Sequence, residues 1–385
     1  MDFETQIDDL NQHYFFREFT YTKNTFRPEP QSELELADKI VWLDDLVIAY
    51  QLKERNPPNR PTAETEEKWF QKKVLGEATR QIRDTHSFLQ SQPSIELRNR
   101  RGHSFHLQAS KVREFHSVIC YAAHKALPRS ALAVKFHRSR TVGFIHVLPA
   151  SDYRGLLRTL LTPAEVAEYL NFRRKIVTDW EKDVAELPEQ ALVGQFLSGL
   201  MEEAPNFRFV RYLNELEHHA DEWDMSGIID KFHHRLLGDS GGTDYYRILA
   251  EIAKLKRTEL KEFKLRYRLS MEKARENVSV YPYRMFSPRT NCGFVFIPVC
   301  DKFRAKRRQE LEALTELCKY DLKMDKCIGV TIGAEEDGWY SIEWAYVEYP
   351  WECDLSIEKV MADVSPFRPV SKKDLGRYQF RGKSS

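Results

Sequence analysis

The sequence contains no long run of apolar residues and almost no excess of charge of either sign. About 18 to 20 consecutive apolar residues are needed to span a bilayer, so no membrane-spanning helix and no membrane partner are expected. The 59 lysines and arginines nearly balance the 58 aspartates and glutamates, which leaves a formal net charge of +1. This balance excludes a globally basic coat, so any contact with nucleic acid requires a local basic patch.

The cysteines are dispersed, and no two of the six form a Cys-x-x-Cys pair. A zinc ribbon is therefore not expected, and reduced thiols in a cytoplasmic protein are the simplest interpretation. The first residues, Met1-Asp2-Phe3-Glu4, are acidic and lack the apolar core of a signal peptide, which also indicates a cytoplasmic location. A chain of 385 residues, 42% of them hydrophobic, can form two or three domains with cores of their own.

Two apolar segments joined by Asp44-Asp45 predict a β-hairpin within residues 35–53. Aspartates tolerate the positive backbone angles that tight hairpin turns require. Pairing the strands outward from this turn places Asp38 opposite Gln51. Side chains alternate along a strand and cross-strand partners share a face, so Asp38, Gln51 and Lys53 are expected to converge at the open end of the hairpin.

Asp38 followed by Gln51-Leu52-Lys53 resembles the metal-binding core of the PD-(D/E)XK nuclease superfamily. In that superfamily an acidic strand residue precedes a second strand that ends in (D/E)-x-K, and the Gln-x-Lys form is similar to that of Mrr-like restriction nucleases. The resemblance covers roughly the first third of the chain. It implies a restriction-endonuclease-like α/β fold, with a mixed sheet flanked by helices. It also implies a metal-dependent nuclease, with endonuclease activity and DNA favoured, in a bacterial defence or restriction-like system.

The resemblance also implies roles for individual residues. Asp38, the side-chain oxygen of Gln51 and the carbonyl of Leu52 would hold Mg²⁺ or Mn²⁺, since these cations prefer oxygen ligands. Lys53 would stabilise the additional negative charge of the phosphate in the transition state. An amide carries no charge and should bind a cation more weakly than a carboxylate, and Glu35 could supply the missing acid.

A helix is predicted from Thr62 to about Leu89, directly after the hairpin. Thr62 is a typical N-cap, and acidic residues follow in the first turn, where the helix dipole favours them. The resemblance implies that Gln81 on this helix supports the site or contacts the nucleic-acid backbone. A solvent-facing glutamine on a polar helix is the alternative.

Two alternatives to an active nuclease remain open. The hairpin could be an ordinary amphipathic one, in which Asp38 and Lys53 form an exposed ion pair worth about 0–1 kcal/mol. The chain could also be a catalytically degenerate nuclease-fold module that binds nucleic acid or a protein partner without cutting.

Basic residues greatly outnumber acidic ones between positions 98 and 140, where Glu114 is the only acid. Aromatic residues are interleaved with them, and such a patch can follow a phosphate backbone. A solvated sheet edge is the alternative, because charged residues also protect edge strands from aggregation. The candidate nucleic-acid contacts are Arg98, Arg100, Arg101, Arg138 and Arg140.

The pattern of the whole chain predicts four regions. Residues 1–150 form the nuclease-like domain, 151–277 are mostly helical, 278–372 form a small α/β subdomain, and 373–385 are a flexible tail. The C-terminal regions could carry a surface for a protein partner or for a homo-oligomer. Residues 238–242 spell Gly-Asp-Ser-Gly-Gly, the nucleophile signature of trypsin-like proteases. No suitable histidine precedes them in a β-rich context, so an interhelix loop is predicted there.

Overall fold

The computed structural model describes residues 3–11, 16–23, 25–26, 34–56, 61–235, 243–363 and 365–369. The predicted tail at 373–385 and the segment 238–242 lie outside these ranges. The described residues form two units. The first is the chain as far as His219 together with 228–234, and the second is 220–227 together with the described residues from Arg235 onward.

This division near residues 219–235 differs from the boundaries that the sequence predicts at 150 and 277. The physical reason is that helices expected to form a separate helical domain pack on the first sheet. Tyr153 packs edge-on against Tyr50 of the sheet, with ring centroids 5.4 Å apart. Arg173 donates a hydrogen bond to the carbonyl of Val147 at 3.3 Å. The region 151–277 is therefore shared between the two units.

Fifteen α-helices are described, and a π-helical segment, Phe70–Glu77, joins the third to the fourth. Their bounds are α1 Phe3–Asn11, α2 Phe16–Phe19, α3 Ala63–Trp69, α4 Ala78–Ser91, α5 Arg129–Leu132, α6 Ala150–Thr159, α7 Pro163–Asp179, α8 Glu181–Ala185, α9 Glu189–Ser198, α10 Arg211–Glu217, α11 Ser226–Arg235, α12 Tyr245–Ala253, α13 Arg257–Arg275, α14 Arg307–Asp321 and α15 Leu355–Asp363. None of these described helices combines the length and the apolar character that a membrane span requires.

Fourteen strands are described in three sheets. Their bounds are β1 Thr20–Lys23, β2 Thr25–Phe26, β3 Leu34–Glu35, β4 Lys39–Leu43, β5 Leu46–Glu54, β6 Ile95–Asn99, β7 Ser104–Leu107, β8 Glu114–Ala122, β9 Phe136–Ser139, β10 Gly143–Pro149, β11 Tyr283–Ser287, β12 Cys292–Val299, β13 Lys326–Ala334 and β14 Tyr340–Glu348.

The first unit is built on an eight-stranded mixed sheet with the order β7-β6-β1-β4-β5-β8-β10-β9. Strand β5 is antiparallel to β4 and parallel to β8, and its first seven residues are buried. The predicted hairpin is confirmed: Val41 pairs with Ile48, and Asp44 in the turn has a φ of 53°. The expected mixed sheet flanked by helices is also confirmed.

The two faces of this sheet are covered by different helices. One face lies under the continuous helix formed by α3, the π-helical segment and α4, where Ile119 and Val147 pack with Val74 and Ile82. The predicted start of this helix is confirmed, because the Thr62 hydroxyl accepts a hydrogen bond from the backbone N–H three residues later. The opposite face packs against α6 and α7, as the contacts of Tyr153 and Arg173 show.

The second unit contains a four-stranded sheet with the order β11-β12-β13-β14. Strands β12 and β13 run parallel and are connected by α14, as the sequence pattern of a small α/β subdomain predicts. Gly329 allows α14 to approach β13 closely, because a Cβ at this position would overlap the hydroxyl of Thr315.

Candidate functional site at the end of strand β5

Asp38 is held at the end of strand β5 by the backbone of that strand. The last strand pair at the open end of the hairpin is Lys39 with Tyr50, so Asp38 directly precedes the paired part of β4. Its Oδ2 atom accepts a hydrogen bond of 2.5 Å from the backbone N–H of Leu52. The carboxylate therefore lies beside the Gln51-Leu52-Lys53 segment, and one of its two oxygens is engaged by the backbone there.

The surroundings of Asp38 shift the pKa of its carboxyl. Burial raises the pKa of the Asp38 carboxyl above its usual value, and the charge of Glu4 on α1 acts in the same direction. The Leu52 N–H and the cations of Lys53 and Lys39 oppose this shift but do not cancel it. A buried carboxyl with a raised pKa and a cation nearby is typical of functional sites, where a bound positive charge can replace the proton.

Gln51 is almost completely buried, and its Oε1 atom accepts no hydrogen bond from the described residues. Gln81 Oε1 and the hydroxyl of Tyr121 are also buried without a partner in the described part of the chain. Lys53 pairs with Tyr121 across the parallel ladder, which places Gln51, Lys53 and Tyr121 on the face that α3 and α4 cover. Each unpaired buried polar atom costs about 1–3 kcal/mol, and a bound ligand is one reason to retain such atoms.

Lys53 contacts an acid that the sequence analysis does not identify. Its Nζ atom lies 3.6 Å from Oε1 of Glu77, and its side chain is 13% exposed. The other carboxylate oxygen of Glu77 accepts a hydrogen bond of 2.6 Å from Lys73. Together, Lys73 and Lys53 hold the pKa of Glu77 below its usual value. Glu77 lies four residues before Gln81, so the sequence places both on one side of the helix, but it does not show that this side faces Lys53.

For Glu35, predicted as a fourth site residue, the structure describes the backbone alone. Its backbone belongs to β3, which pairs with Thr25 of β2 in a separate two-stranded sheet. Its side chain is not among those that the structure describes. Among the described side chains, Glu4 and Glu77 are the additional acids whose charges act on Asp38 and Lys53.

The predicted arginine patch does not form one surface. Arg98 and its neighbours lie on β6 and the following turn, whereas Arg138 and Arg140 lie on β9 and after it, at the other edge of the sheet. Six strand spacings of about 4.8 Å separate β6 from β9, or about 29 Å. Arg100 and Arg101 also form ion pairs of 3.2 and 3.1 Å with Asp9 and Glu18.

No protein-family model, curated protein or solved structure matches this chain. The resemblance to the nuclease superfamily is therefore carried by Asp38 and the Gln51-Leu52-Lys53 segment alone. Any functional assignment depends on what these residues can do where they lie.

The oxygen atoms of this site fit a hard divalent cation, but they supply little negative charge. A carboxylate and an amide oxygen without a hydrogen-bond partner in the described part of the chain are ligands of the type that Mg²⁺ accepts while it retains several waters. The described residues contain no group of three or more His, Cys, Asp or Glu side chains that could hold a metal ion. Asp38 and Gln51 can therefore support weak cation binding, to which a phosphate ligand would add the missing charge.

Proposed function

We propose that this chain is a nuclease that depends on Mg²⁺ or Mn²⁺ and hydrolyses phosphodiester bonds, with DNA as the favoured substrate. The observation that carries this proposal is the buried Oε1 atom of Gln51, which has no hydrogen-bond partner among the described residues and lies beside Lys53 on the strand that fixes Asp38. A restriction-endonuclease-like core is part of the proposal, and the mixed sheet with helices on both faces supports it. A defence or restriction-like role remains an expectation from the resemblance.

The side chains divide the chemistry between them. The Asp38 carboxylate, Gln51 Oε1 and the Leu52 carbonyl would hold the cation, which when bound supplies charge neutralisation and a more acidic water. The Asp38 carboxyl releases its proton less readily than an exposed aspartate does, because burial raises its pKa. Lys53 presents its ammonium group on the face of Gln51, where it can stabilise the charge that develops on a phosphate. Glu77 keeps that ammonium group oriented through the contact at 3.6 Å.

A second candidate, a nuclease-fold module that binds nucleic acid without cutting it, is favoured by a different observation. Both charged groups of the site already have protein partners, since Asp38 accepts from Leu52 N–H and Lys53 contacts Glu77. The described part of the chain also lacks a cluster of three metal-ligating acids or histidines. A site with its charges engaged internally can persist without catalysis.

Cleavage assays with matched variants separate these two functions. Purified protein is incubated with supercoiled plasmid and with a labelled RNA, in Mg²⁺ and separately in Mn²⁺. We expect cleavage that falls about 100-fold or more in Asp38→Ala and in Lys53→Ala, because each removes a charge that the reaction requires. The controls are Asp45→Ala in the same hairpin turn and Lys72→Ala on the neighbouring helix, both of exposed residues.

Cleavage that persists in both site variants would assign the activity to another site or to a contaminant. No cleavage of either substrate in either metal, together with retained binding of nucleic acid, would favour the non-cutting module.

A further inference from the structure

A groove of about 430 Å³ lies between the strands β9 and β10 and helix α7. It is lined by Arg138 and Phe144 from the strands and by Arg174, Lys175 and Asp179 from the helix. Its volume lies within the range of about 300–1,000 Å³ that is typical of pockets for small organic ligands. The groove is far larger than a single inorganic anion requires.

This groove is separate from the site at the end of β5. Gln51 pairs with Ile119, and Ile119 pairs with Val147, whereas Phe144 precedes Val147 on β10 by three residues. The Cα atoms of Phe144 and Gln51 are therefore about 10 Å apart along the strands and about 10 Å apart across them. Val147 lies on the same face of the sheet as Gln51, and Phe144 is three residues before it, so the side chain of Phe144 points to the opposite face. Phe144 therefore faces α7, whereas Gln51 faces the helix that contains α3 and α4.

The groove contains two guanidinium groups that form no ion pair with the residues that the structure describes. Within the described ranges, neither Arg138 nor Arg174 has a carboxylate within 4 Å; Arg138 lies over the ring of Phe136 at 5.6 Å. Arg174 is exposed, and its charge helps to lower the pKa of Glu114, an effect led by the hydrogen bond from His116. Lys175, by contrast, forms an ion pair of 2.7 Å with Glu202. Two arginines with free donor groups are well suited to bidentate binding of a phosphate.

The remaining walls of the groove fit a base and a sugar. The ring of Phe144 stacks on that of Phe136, with a centroid distance of 5.0 Å and an interplanar angle of 11°. The Phe144 side chain forms an apolar wall of the groove, and nucleobases bind favourably to aromatic walls. Asp179, an exposed acid on the rim, can accept hydrogen bonds from the hydroxyls of a ribose, as acids do in dinucleotide sites.

We propose that this groove binds a nucleoside phosphate with a ribose sugar. Arg138 and Arg174 hold its phosphate, Phe144 contacts its base, and Asp179 accepts from its ribose. The same chemistry is offered by a free ribonucleotide and by the phosphorylated end of an RNA strand. The inference goes beyond the proposed nuclease function and does not depend on it.

Isothermal titration calorimetry with four probes tests this assignment. The probes are ADP, a 5′-phosphorylated RNA hexamer, inorganic pyrophosphate and adenosine, each titrated into the full chain without divalent cations. We expect ADP or the hexamer to bind at least tenfold more tightly than pyrophosphate or adenosine, because only these two carry phosphate, base and ribose together. Preference for ADP indicates a free nucleotide, and preference for the hexamer indicates an RNA end.

Variants locate the binding. The double variant Arg138→Gln with Arg174→Gln should weaken binding at least tenfold, and Arg129→Gln, an exposed arginine outside the groove, should leave it unchanged. Asp38→Ala should also leave it unchanged, which separates this test from the nuclease proposal. All three arginines are on the surface, and thermal unfolding checks that each variant folds. The proposal is overturned by binding that survives the double variant, by pyrophosphate binding as tightly as ADP, or by no binding of ADP and the hexamer.

Discussion

Lys53 Nζ lies 3.6 Å from Glu77 Oε1, across the interface between strand β5 and the helix that covers it. Glu77 also accepts a hydrogen bond from Lys73, so one carboxylate orients two ammonium groups. The side chain of Lys53 is only 13% exposed, which limits screening of this contact by solvent. The position of the lysine that the nuclease proposal requires therefore depends on an acid from a different element.

Replacing Glu77 tests that dependence. In Glu77→Gln the ammonium group of Lys53 loses the charge that orients it, and we expect the rate of plasmid cleavage to fall about tenfold. Glu67→Gln on the same helix, which removes an exposed acid, is the matched control. Equal cleavage rates for the two variants would show that Glu77 has no part in the site.

The raised pKa of Asp38 predicts cation binding that depends on pH. A proton and a cation compete for this carboxylate, so Mn²⁺ should bind more weakly as the pH falls toward the raised pKa. Titration calorimetry of Mn²⁺ between pH 5 and pH 8 measures the effect. In Asp38→Asn the pH-dependent binding should be lost. The same pH dependence in Asp38→Asn and in the natural chain would mean that the cation binds elsewhere.

Asp38→Asn should also change the pH dependence of folding. A carboxyl with a raised pKa in the folded state contributes stability that is fully present below its unfolded pKa and is lost as the pH rises through the folded pKa. An asparagine does not ionise, so the variant does not lose stability as the pH rises through the pKa of Asp38. At neutral pH it should therefore be as stable as the natural chain or slightly more stable. Urea unfolding at pH 5 and pH 8 provides the measurement, with Asp45→Asn as the exposed control. A variant that is much less stable at pH 8 would contradict this interpretation of the burial of Asp38.

The ion pair of Arg173 and Glu189 is fully buried between α7 and α9. Arg173 Nε donates to Glu189 Oε1 at 2.5 Å, and the hydroxyl of Tyr169 donates to the same oxygen. Removal of one partner leaves an uncompensated charge, so Glu189→Leu should lower the free energy of unfolding by about 3–5 kcal/mol. Arg173→Met combined with Glu189→Leu should cost less than either single change. A double-mutant cycle in urea measures this, and strictly additive losses would refute it.

His146 predicts that the first unit becomes less stable in mild acid. Its Nδ1 accepts from Arg173 at 3.3 Å. Burial holds the pKa of His146 well below 6.5, and the charges of Arg173, His116 and Arg174 add to the effect. Below about pH 6.5 His146 binds a proton in the unfolded state but not in the folded state, so the free energy of unfolding should fall as the pH decreases. His146→Gln, whose amide can still accept from Arg173, should flatten the unfolding profile between pH 7 and pH 5. An unchanged slope would show that other groups control it.

Local signals in the sequence account for much of the fold. The Asp44-Asp45 turn and the hydroxyl of Thr62 act over a few residues, and their hairpin and helix start are found as predicted. The arginines between positions 98 and 140 are close in sequence, yet the strands between β6 and β9 carry them to opposite edges. Sheet order is set by packing between distant segments, and no short pattern encodes it.

The same limit applies to the candidate site. Asp38 and Lys53 could be found because they belong to one hairpin, whose pairing is local. Glu77 could not be assigned to Lys53, because the contact requires the helix to lie on a particular face of the sheet with a particular rotation. The burial of the Gln51 amide oxygen likewise depends on that helix.

The π-helical segment Phe70–Glu77 determines how the residues that follow it are rotated about the helix axis. Such widened turns often occur at functional sites, and they change the rotation of the downstream helix relative to the upstream one. Deleting one residue from this segment would turn everything after it by about 100° around the helix axis. Glu77 and Gln81 would then both swing away from β5, while Thr62 would still begin the helix. The π-helical segment thus fixes the rotation between the start of the helix at Thr62 and the side chains of Glu77 and Gln81, which face the sheet.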